Sequence, residues 1–522
     1  MGGQVRRGPA GRDPHRPRRG RPAVGAGMAR VSQAGGRRPN VLVLMSDEQS
    51  WDTLGCTGNL AARTPHLDVL AEHATVFDGS YVPFPLCCPS RTSLWTGLMP
   101  RHHHVLGNWR GIAPSLADRG IAAGFSAAGY HTIYTGKWHV PGTTPARMGW
   151  RDTSAVPAVL DGRDRGRYIE DYRRYVTDHG YELVPDHIEN LTPADLDSLT
   201  DPAAPHRASA EIPEEHFLET WQTEQFLAAL RRAPDDRPWL AACSFNAPHF
   251  PMVVPAPYDR LIDRAAVQLP ASFGAGWDSR PAEVRNSKFA QKFTDLDEPG
   301  WVEVVAHYLG LCALVDTQVG RILGHLRDAG ELDNTIVVYT SDHGDMMGAH
   351  RLMEKGHLLH YEEALRVPLL VTHPDAGAAR NANLVSMVDV APTLAELAGV
   401  EWWDEHDGRS FASMVGAADA APTRDYVTAE TVLYDLEPDN AHGEHRDPAT
   451  WDVRTDAINL SVRTPRYRYV FRSCDIDELF DHDHDPYEQV NLAADPSYAE
   501  TRTQLHDLVT KDVTDVFPAL AV

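Results

Sequence analysis

A short run of the sequence spaces a cysteine, a proline and an arginine so that together they could bind and attack an anion. Pro89 suits the first position of a helix, where its missing N–H costs nothing, and Gly97 suits the residue just past the end. The run therefore predicts a short helix over about 89–96, with Cys87 just before its N-terminus. The unpaired N–H groups of that helix and the guanidinium of Arg91 would attract an anion beside the thiol. We expect a positioned nucleophile next to a site for a tetrahedral oxyanion.

Two further motifs place acidic residues at the ends of apolar runs. Residues 40–46 and 335–341 are continuous apolar runs, typical of strands that are buried on both faces of a parallel sheet. Ligands bind at the carboxyl ends of such strands, so neighbouring strands would create a site for a divalent cation beside Cys87. Read singly, acids at strand ends are also common as solvated turn residues, and adjacent cysteines can simply be buried thiols. The candidate ligands are Asp47, Glu48, Asp342 and His343.

Cations and imidazoles follow other strand-like runs. Lys137 and His139 come directly after the run 131–134, and His249 comes after the run 239–245. Lys355 lies downstream of the second acidic motif. A histidine after a strand is more often a turn donor than a catalyst, so each of these residues is by itself a weak signal.

The order of the elements that would position these residues predicts an α/β fold. Strand-like and helical patterns alternate, which favours a large, mainly parallel sheet sandwiched by helices. We assign residues 40–415 to this catalytic domain and residues 416–522 to a smaller C-terminal α+β domain. The charged, proline-rich stretches 150–213 and 257–299 are interpreted as long surface insertions. Residues 1–39 form a basic tail that we expect to be disordered.

Composition limits the other classes of function. The net charge of −24 argues against general binding to nucleic acid, and six scattered cysteines do not resemble a disulfide framework. No run looks long and apolar enough to span a membrane. Arg6-Arg7 could belong to an export signal, but no apolar segment follows it, so we favour a disordered extension or a true start near Met28. We expect a cytoplasmic protein with no nucleic-acid or membrane partner.

Taken in order, these motifs resemble the sulfatase family within the alkaline phosphatase superfamily. The run from Cys87 to Gly97 is similar to the family signature Cys-x-Pro-Ser-Arg with a later Thr-Gly. Only Cys87 fits the register, because Ser90 rather than a proline lies two places after Cys88. The resemblance extends over nearly the whole chain from Asn40. Further matching segments are 64–74, 136–139, 341–344, 361–368, 388–393, 478–481 and 485–492.

The resemblance implies a cofactor, a modification and a set of site residues. Cys87 would be oxidised to formylglycine by a separate formylglycine-generating enzyme. One divalent metal ion, calcium by family default with manganese or magnesium possible, would be bound by Asp47, Glu48, the residue at position 87, Asp342 and His343. The sulfate group would be surrounded by Arg91, Lys137, His139, His249 and Lys355. Glu48 and His343 depart from the Asp-Asp and Asp-Asn pairs found in many family members.

The activity implied by the resemblance is hydrolysis of a small-molecule sulfate monoester. The hydrated aldehyde at position 87 would be the nucleophile, His249 or Lys355 would protonate the leaving alcohol, and His139 would remove a proton from position 87. An Asp-His pair is frequent among relatives that act on phosphonate and phosphate esters, which makes hydrolysis of such mono- or diesters the alternative. A catalytically silent binding protein with the same fold is a further alternative, although no key residue is lost.

Overall fold

The apolar run at the start of the catalytic domain forms strand β1 (Asn40–Ser46), near the centre of the main sheet of this computed structural model. Val41 and Val43 pack on one face of the sheet, and Leu42 and Leu44 pack on the other. Successive side chains of a strand point to opposite faces. The run is therefore apolar throughout because both of its faces are covered.

The structure describes most of the chain from Arg38 onward, and these residues belong to one compact unit. The predicted basic tail lies almost wholly outside the described residues. The described residues are 38–108, 110–155, 166–184, 192–199, 207–276, 280–287, 290, 296–433, 457–511 and 513.

The main sheet has eight strands, most of them parallel. Besides β1 it contains β2 (Thr75–Tyr81), β3 (His131–Gly136), β4 (Asp152–Ala155), β6 (Trp239–Ser244), β8 (Thr335–Ser341), β9 (Leu369–Val371) and β10 (Ala379–Ser386). Their order is β10-β2-β9-β8-β1-β6-β3-β4. Only β9 runs antiparallel to its neighbours β8 and β2. Strands β5 (Arg207–Ser209) and β7 (Met252–Val254) form a separate parallel pair.

Helices cover both faces of this sheet, which confirms the predicted α/β fold class. The longest, α10 (Glu298–Asp328), satisfies the length and composition expected of a membrane span, but 83% of its most apolar window is buried inside the protein. The others are α1 (Pro65–Ala71), α2 (Cys87–Thr96), α3 (Pro100–His103), α4 (Ile121–Ala127), α5 (Gly166–Asp178), α6 (Pro193–Leu199), α7 (Leu218–Arg231), α8 (Tyr258–Leu261), α9 (Ala282–Arg285), α11 (Glu362–Leu365), α12 (Val390–Leu397) and α13 (Ala499–Lys511).

A separate antiparallel sheet follows in the C-terminal part, where the sequence predicts a smaller α+β domain. Its strands, in spatial order, are β11 (Val427–Leu433), β12 (Ala457–Arg463), β13 (Tyr467–Arg472) and β14 (Glu478–Asp481). Helix α13 contributes Leu505 and Val509 to the apolar cluster on this sheet. The exact domain boundary at residue 416 remains a prediction.

The stretch 150–213 is more than a surface insertion. Tyr172 and Val176 of α5 are fully buried in the same apolar cluster as Phe226 of α7. Arg174 and Asp178 of the same amphipathic helix are exposed, which explains why the composition of this segment suggested a surface insertion.

Candidate active site

Helix α2 begins at Cys87, two residues before the start predicted from Pro89. The Ser90 N–H is the first to find a partner across the turn, the carbonyl oxygen of Leu86 at 3.1 Å. The earlier N–H groups of a helix have no intrahelical acceptor, so a proline is tolerated anywhere in this first turn. Gly97 ends the helix with φ at 68°, in the left-handed region, as its position predicted. The thiol therefore lies at the N-terminus of the helix.

Four potential ligand atoms meet at the carboxyl ends of β1 and β8, all within 4.8 Å of one another. These two strands are parallel neighbours, and Ser46 is paired with Ser341. The residues that follow each strand must therefore emerge side by side. The four atoms belong to Asp47, Cys87, Asp342 and His343, and all four side chains are buried.

The backbone fixes the tautomer of His343 in a form that can bind a cation. Its Nδ1–H donates to the carbonyl oxygen of Gly344 at 2.9 Å, so in the neutral imidazole the lone pair of Nε2 faces the cluster, whereas Asp342 and the Cys87 thiol overcome burial and raise the pKa of His343. Nε2 lies 3.2 Å from Cys87 Sγ and 3.8 Å from Asp47 Oδ1. Two carboxylates and an unprotonated imidazole nitrogen are suitable ligands for a divalent cation. The donor set therefore fits the expected metal ion.

Two buried, positively charged side chains contact this cluster. Arg91 Nε donates to Asp342 Oδ2 at 2.7 Å, and Lys137 Nζ pairs with Asp47. Although burial would raise the pKa of Asp47, Lys137 and Arg91 hold it well below its ordinary range. The same pattern applies to Cys87, because Lys137 and His343 outweigh burial and lower the pKa of its thiol. The site therefore stabilises negative charge on Asp47 and at position 87, whereas burial raises the pKa of Asp342.

Glu48 lies outside the four-atom cluster. Its side chain pairs with Lys355 Nζ, and its Oε2 is 3.4 Å from His249 Nε2. Its backbone adopts φ of 67°, a left-handed conformation that a residue other than glycine rarely takes. The Glu48 carboxylate therefore pairs with cations instead of joining the four-atom cluster, while its backbone N–H donates to Asp342 Oδ1 at 3.0 Å.

The remaining predicted site residues are His139, His249 and Lys355. His139 and His249 lie close enough to Cys87 that both help to lower the pKa of its thiol. His249 Nδ1–H donates to the carbonyl oxygen of Phe250 at 2.6 Å, so its Nε2 accepts from Lys355 Nζ at 2.9 Å. Burial lowers the pKa of His139, which keeps its imidazole neutral. The structure thus brings all six candidate catalytic residues into one site.

The sequence did not identify several residues that position the candidate catalytic and metal-binding side chains. Arg91 donates to Ser244 Oγ at 2.7 Å, and Ser90 Oγ donates to the carbonyl oxygen of Asp342. Asp345 lies beside Glu48, and through its carboxyl group it raises the pKa of Glu48 further than burial alone does. Ser90 belongs to the cysteine motif, and Asp345 follows Asp342 by three residues. Both could therefore have been identified as site residues from their position in or near a motif. For Ser244, the only indication in the sequence was its position at the end of β6.

A second cluster of potential metal ligands, Glu362, His482 and Glu488, is already neutralised by protein cations. Arg468 pairs with both glutamates, and Arg463 Nε lies 3.0 Å from Glu362 Oε1. Guanidinium groups occupy the positions that a metal ion would need, so this cluster is an ion-pair network.

Two family models match the chain. The sulfatase model matches residues 39–400, and the model for the C-terminal part of N-sulphoglucosamine sulphohydrolase matches residues 348–515. Together they span the residues of the candidate active site and the antiparallel C-terminal sheet.

Individual related proteins are consistent with these family models. The chain is 29% identical to the uncharacterized sulfatase YidJ of Escherichia coli, over 90% of this chain and 86% of that protein. It is 27% identical to an arylsulfatase of Clostridium perfringens, over 91% and 94% of the two chains. The crystal structure of a phosphonate monoester hydrolase of Agrobacterium radiobacter has the same fold, with a TM-score of 0.72, 23% identity and coverage of 91% and 95%.

Proposed function

Since the chain belongs to the sulfatase family and is a sulfuric ester hydrolase, we propose that it cleaves sulfate monoesters with the site centred on position 87. One observation carries this proposal. Four potential ligand atoms from Asp47, Cys87, Asp342 and His343 lie within 4.8 Å of one another, at the mouth of a helix whose N–H groups favour an anion.

The family implies a metal ion and a formylglycine made from the cysteine, and we propose that both belong at this site. The Cys87 thiol occupies the place of the oxygens of the hydrated aldehyde. When bound, the ion and the aldehyde supply an oxygen nucleophile at position 87. We propose calcium as the ion, with manganese or magnesium as alternatives, held by Asp47, Asp342 and His343. We also propose that a formylglycine-generating enzyme carries out the modification.

The buried cations bind and orient the sulfate group. Arg91 is fixed by Asp342, by Ser244 and by the carbonyl oxygen of Lys137, so its remaining nitrogen NH2 can be directed at the anion. Among the described residues NH2 has no hydrogen-bond partner, although Asp47 Oδ2 is 3.4 Å away. Lys137 and Lys355 add charge on either side. Fixed donors of this kind stabilise charge that builds up on the nonbridging oxygens.

Two imidazoles, those of His249 and His139, are positioned to transfer protons at the site. His249 Nε2 accepts from Lys355 Nζ, so this pair can hold the proton that the departing alcohol oxygen needs. His139 is buried and neutral and contacts Cys87, and within the described part of the chain its Nδ1 has no hydrogen-bond partner. It is therefore suited to accept a proton from position 87 so that sulfate can leave.

The direct test combines mass spectrometry with a comparison of ester classes. Protein made together with a formylglycine-generating enzyme is digested, and the peptide that contains Cys87 is weighed. The same preparation is assayed with 4-nitrophenyl sulfate and with 4-nitrophenyl phenylphosphonate. We expect the aldehyde at position 87 and faster hydrolysis of the sulfate. An unmodified thiol together with no hydrolysis of either ester would contradict the proposal.

A phosphonate or phosphate ester is the second candidate substrate. One observation favours it: the Asp342-His343 pair, in place of Asp-Asn, supplies a nitrogen ligand to the cluster. The protein whose structure resembles this fold at a TM-score of 0.72 is named a phosphonate monoester hydrolase. A kcat/KM for the phosphonate that exceeds the value for the sulfate would establish this alternative.

A further inference from the structure

A tyrosine of the long helix α10 contacts the loop that follows β1 in the candidate active site. Tyr308 is 1% exposed. Its hydroxyl group donates to the carbonyl oxygen of Glu48 at 2.7 Å and accepts the N–H of Ser50 at 2.9 Å. Burial raises the pKa of Tyr308, so the phenol keeps the proton that it donates. Both contacts are to the backbone of the loop.

These contacts help to hold Glu48 in an unfavourable backbone conformation. A φ of 67° is costly for a residue with a Cβ atom and persists only where the surrounding contacts hold it. The Glu48 N–H donates to Asp342 Oδ1 at 3.0 Å, and the next N–H, that of Gln49, donates to Ser341 Oγ at 2.9 Å. Tyr308 adds a third restraint, from a different element.

Loss of the Tyr308 hydroxyl group would leave two buried backbone groups without their partner, the carbonyl oxygen of Glu48 and the N–H of Ser50. Glu48 and Ser50 are 0% and 2% exposed, so water does not readily replace the phenol. Unpaired buried polar groups are costly. The loop would therefore rearrange, and a rearrangement that moves Glu48 out of the left-handed region also relieves its strain.

The contacts of the Glu48 carboxylate depend on this backbone, because the backbone sets the direction of the Cα–Cβ bond. Glu48 Oε2 pairs with Lys355 Nζ and lies 3.4 Å from His249 Nε2. Lys355 Nζ lies 2.9 Å from the same His249 nitrogen. A shift of residue 48 would therefore separate Lys355 from its carboxylate and disturb the pair that holds a proton for the departing alcohol.

The same loop is also tied to the segment that carries Lys355. Ser50 Oγ donates to the carbonyl oxygen of Asp345 at 2.7 Å and accepts the Asp345 N–H at 3.0 Å. Asp345 Oδ1 accepts the N–H of Glu354, the residue before Lys355, at 3.1 Å. Since Tyr308 bonds the N–H of Ser50, both members of the Glu48–Lys355 pair are connected to its hydroxyl group.

We propose that Tyr308 is a positioning residue for protonation of the leaving group. Its hydroxyl group holds the loop backbone so that the Glu48 carboxylate stays on Lys355, and Lys355 stays beside His249. The inference rests on the proposed function, in which Lys355 and His249 hold the proton for the departing oxygen. Tyr308 acts through Glu48 and not on the substrate.

The kinetic test compares two leaving groups. Tyr308→Phe removes one oxygen atom and keeps the ring. Departure of 4-nitrophenol needs little protonation, whereas departure of phenol needs more. The kcat/KM of Tyr308→Phe should therefore fall about tenfold more on phenyl sulfate than on 4-nitrophenyl sulfate. Equal losses on the two substrates would overturn the inference, since a purely structural role affects both alike.

Tyr258→Phe is the matched control. Tyr258 is also buried, and its hydroxyl group donates to Thr317 of α10 at 3.0 Å rather than to the loop after β1. This variant should keep the wild-type ratio of kcat/KM values for the two substrates. A ratio that changed as much as in Tyr308→Phe would overturn the inference, because any lost hydroxyl group beside α10 would then have the same effect.

A double variant tests whether Tyr308 acts through Glu48. Glu48→Gln should by itself reduce the activity on phenyl sulfate more than that on 4-nitrophenyl sulfate. Adding Tyr308→Phe to Glu48→Gln should change the ratio of the two kcat/KM values by less than about twofold, because both substitutions disturb one contact. A further change of about tenfold would overturn the inference, since the two residues would then act independently.

Crystal structures separate this inference from the proposed function. In Tyr308→Phe, residue 48 should leave the left-handed region and its carboxylate should move away from Lys355, whereas Tyr258→Phe should keep both features. That outcome supports the positioning role even if no aryl sulfate is hydrolysed. An unchanged Glu48–Lys355 pair in Tyr308→Phe overturns it, whatever the assays give.

One further measurement needs no variant to fold. Amide hydrogen exchange in wild type should show protection of the Ser50 N–H, which the Tyr308 hydroxyl group accepts. Exchange of this amide at the rate of an unstructured peptide would overturn the inference, because the loop would then not be held.

Discussion

At the scale of single residues, two adjacent cysteines have opposite environments. Lys137 and His343 lower the pKa of the Cys87 thiol despite its burial, whereas burial raises the pKa of Cys88 and the charge of Cys87 adds to that effect. Cys88 packs in the apolar cluster on one face of the sheet. Only one of the two sulfur atoms therefore faces the candidate site, in agreement with the register of the motif.

We predict that Cys87→Ala abolishes hydrolysis, by at least about a thousandfold in kcat, because the nucleophile is removed. Cys88→Ala is the matched control. It should remain active and lose only about 1 kcal/mol of stability, since a small buried group is deleted. Both variants are assayed with 4-nitrophenyl sulfate and by thermal unfolding. Turnover by Cys87→Ala at the wild-type rate would disprove the assignment of the nucleophile.

Glu48 and Asp47 are adjacent in sequence, but their side chains have different partners. We predict that Asp47→Asn lowers the metal content of the purified protein together with its activity. Glu48→Gln should retain the metal and lose about 10- to 100-fold in kcat, because Lys355 loses the carboxylate that orients it. Elemental analysis per chain and steady-state kinetics measure the two effects. If Glu48→Gln lost its metal as completely as Asp47→Asn, Glu48 would have to be a ligand.

At the scale of elements, the site depends on the neighbouring ends of β1 and β8. Gly344 lies in the loop after β8, where a Cβ atom would be 1.8 Å from the backbone oxygen of Glu363. Its N–H also donates to the carbonyl oxygen of Ala364 at 3.0 Å. The backbone is close on this side of the loop, so any larger residue must move the segment that carries Asp342 and His343.

We predict that Gly344→Ala destabilises the protein by about 1–3 kcal/mol and also lowers its metal content, because the loop is displaced. Gly324→Ala in α10 provides a contrast, since apart from its neighbours and the adjacent backbone of the helix, no atom of the described residues lies within 4 Å of its ideal Cβ position. This second variant should gain about 0.5–1 kcal/mol from the higher helix propensity of alanine. Urea unfolding and elemental analysis measure both. A Gly344→Ala protein with wild-type stability and metal content would contradict the packing argument.

The sequence was sufficient to predict contacts that follow from strand topology. Asp47 and Asp342 were expected to meet because parallel neighbours end at one edge, and β1 and β8 are such neighbours. It was not sufficient for contacts made by distant helices. Nothing in the pattern of α7 distinguishes Glu219 from the exposed Glu224, because which glutamate is buried depends on how the helix packs against the loop after β6. Likewise, nothing in the sequence indicates the left-handed backbone conformation of Glu48 or its pairing with Lys355.

At the scale of the whole molecule, an ion-pair network joins the C-terminal sheet to the catalytic domain. Arg468 on β13 pairs with Glu362 of α11 and with Glu488, and the N–H of Glu362 donates to Glu488 Oε2 at 3.0 Å. Tyr81 on β2 donates to Glu362 as well, at 2.9 Å. The network therefore connects the main sheet, the helix after the second acidic motif and the segment near residue 488. The sequence contained Glu488 in a recognisable motif but gave no indication of its partners.

This network predicts a loss of stability in acid. Burial alone would raise the pKa values of Glu362 and Glu488, but Arg468 and the other nearby cations hold both below their ordinary value of 4.5. A carboxylate whose pKa is lower in the folded state stabilises the fold above its unfolded pKa. That stabilisation is lost as the pH falls from about 4.5 towards the folded values. Wild type should therefore unfold at progressively lower urea concentrations below about pH 4.5.

We predict that Glu488→Gln removes part of this pH dependence. At pH 7 the variant should be less stable by about 3–5 kcal/mol, because Arg468 remains buried with one carboxylate fewer. Below pH 4.5 its stability should fall less steeply than that of wild type, since one of the linked carboxylates is absent. Glu500→Gln, at an exposed position on α13, should follow the wild-type curve. The test is the urea midpoint of unfolding, measured between pH 3 and pH 7. If the midpoints of wild type and Glu488→Gln changed with pH in parallel, Glu488 would not contribute to the loss of stability in acid.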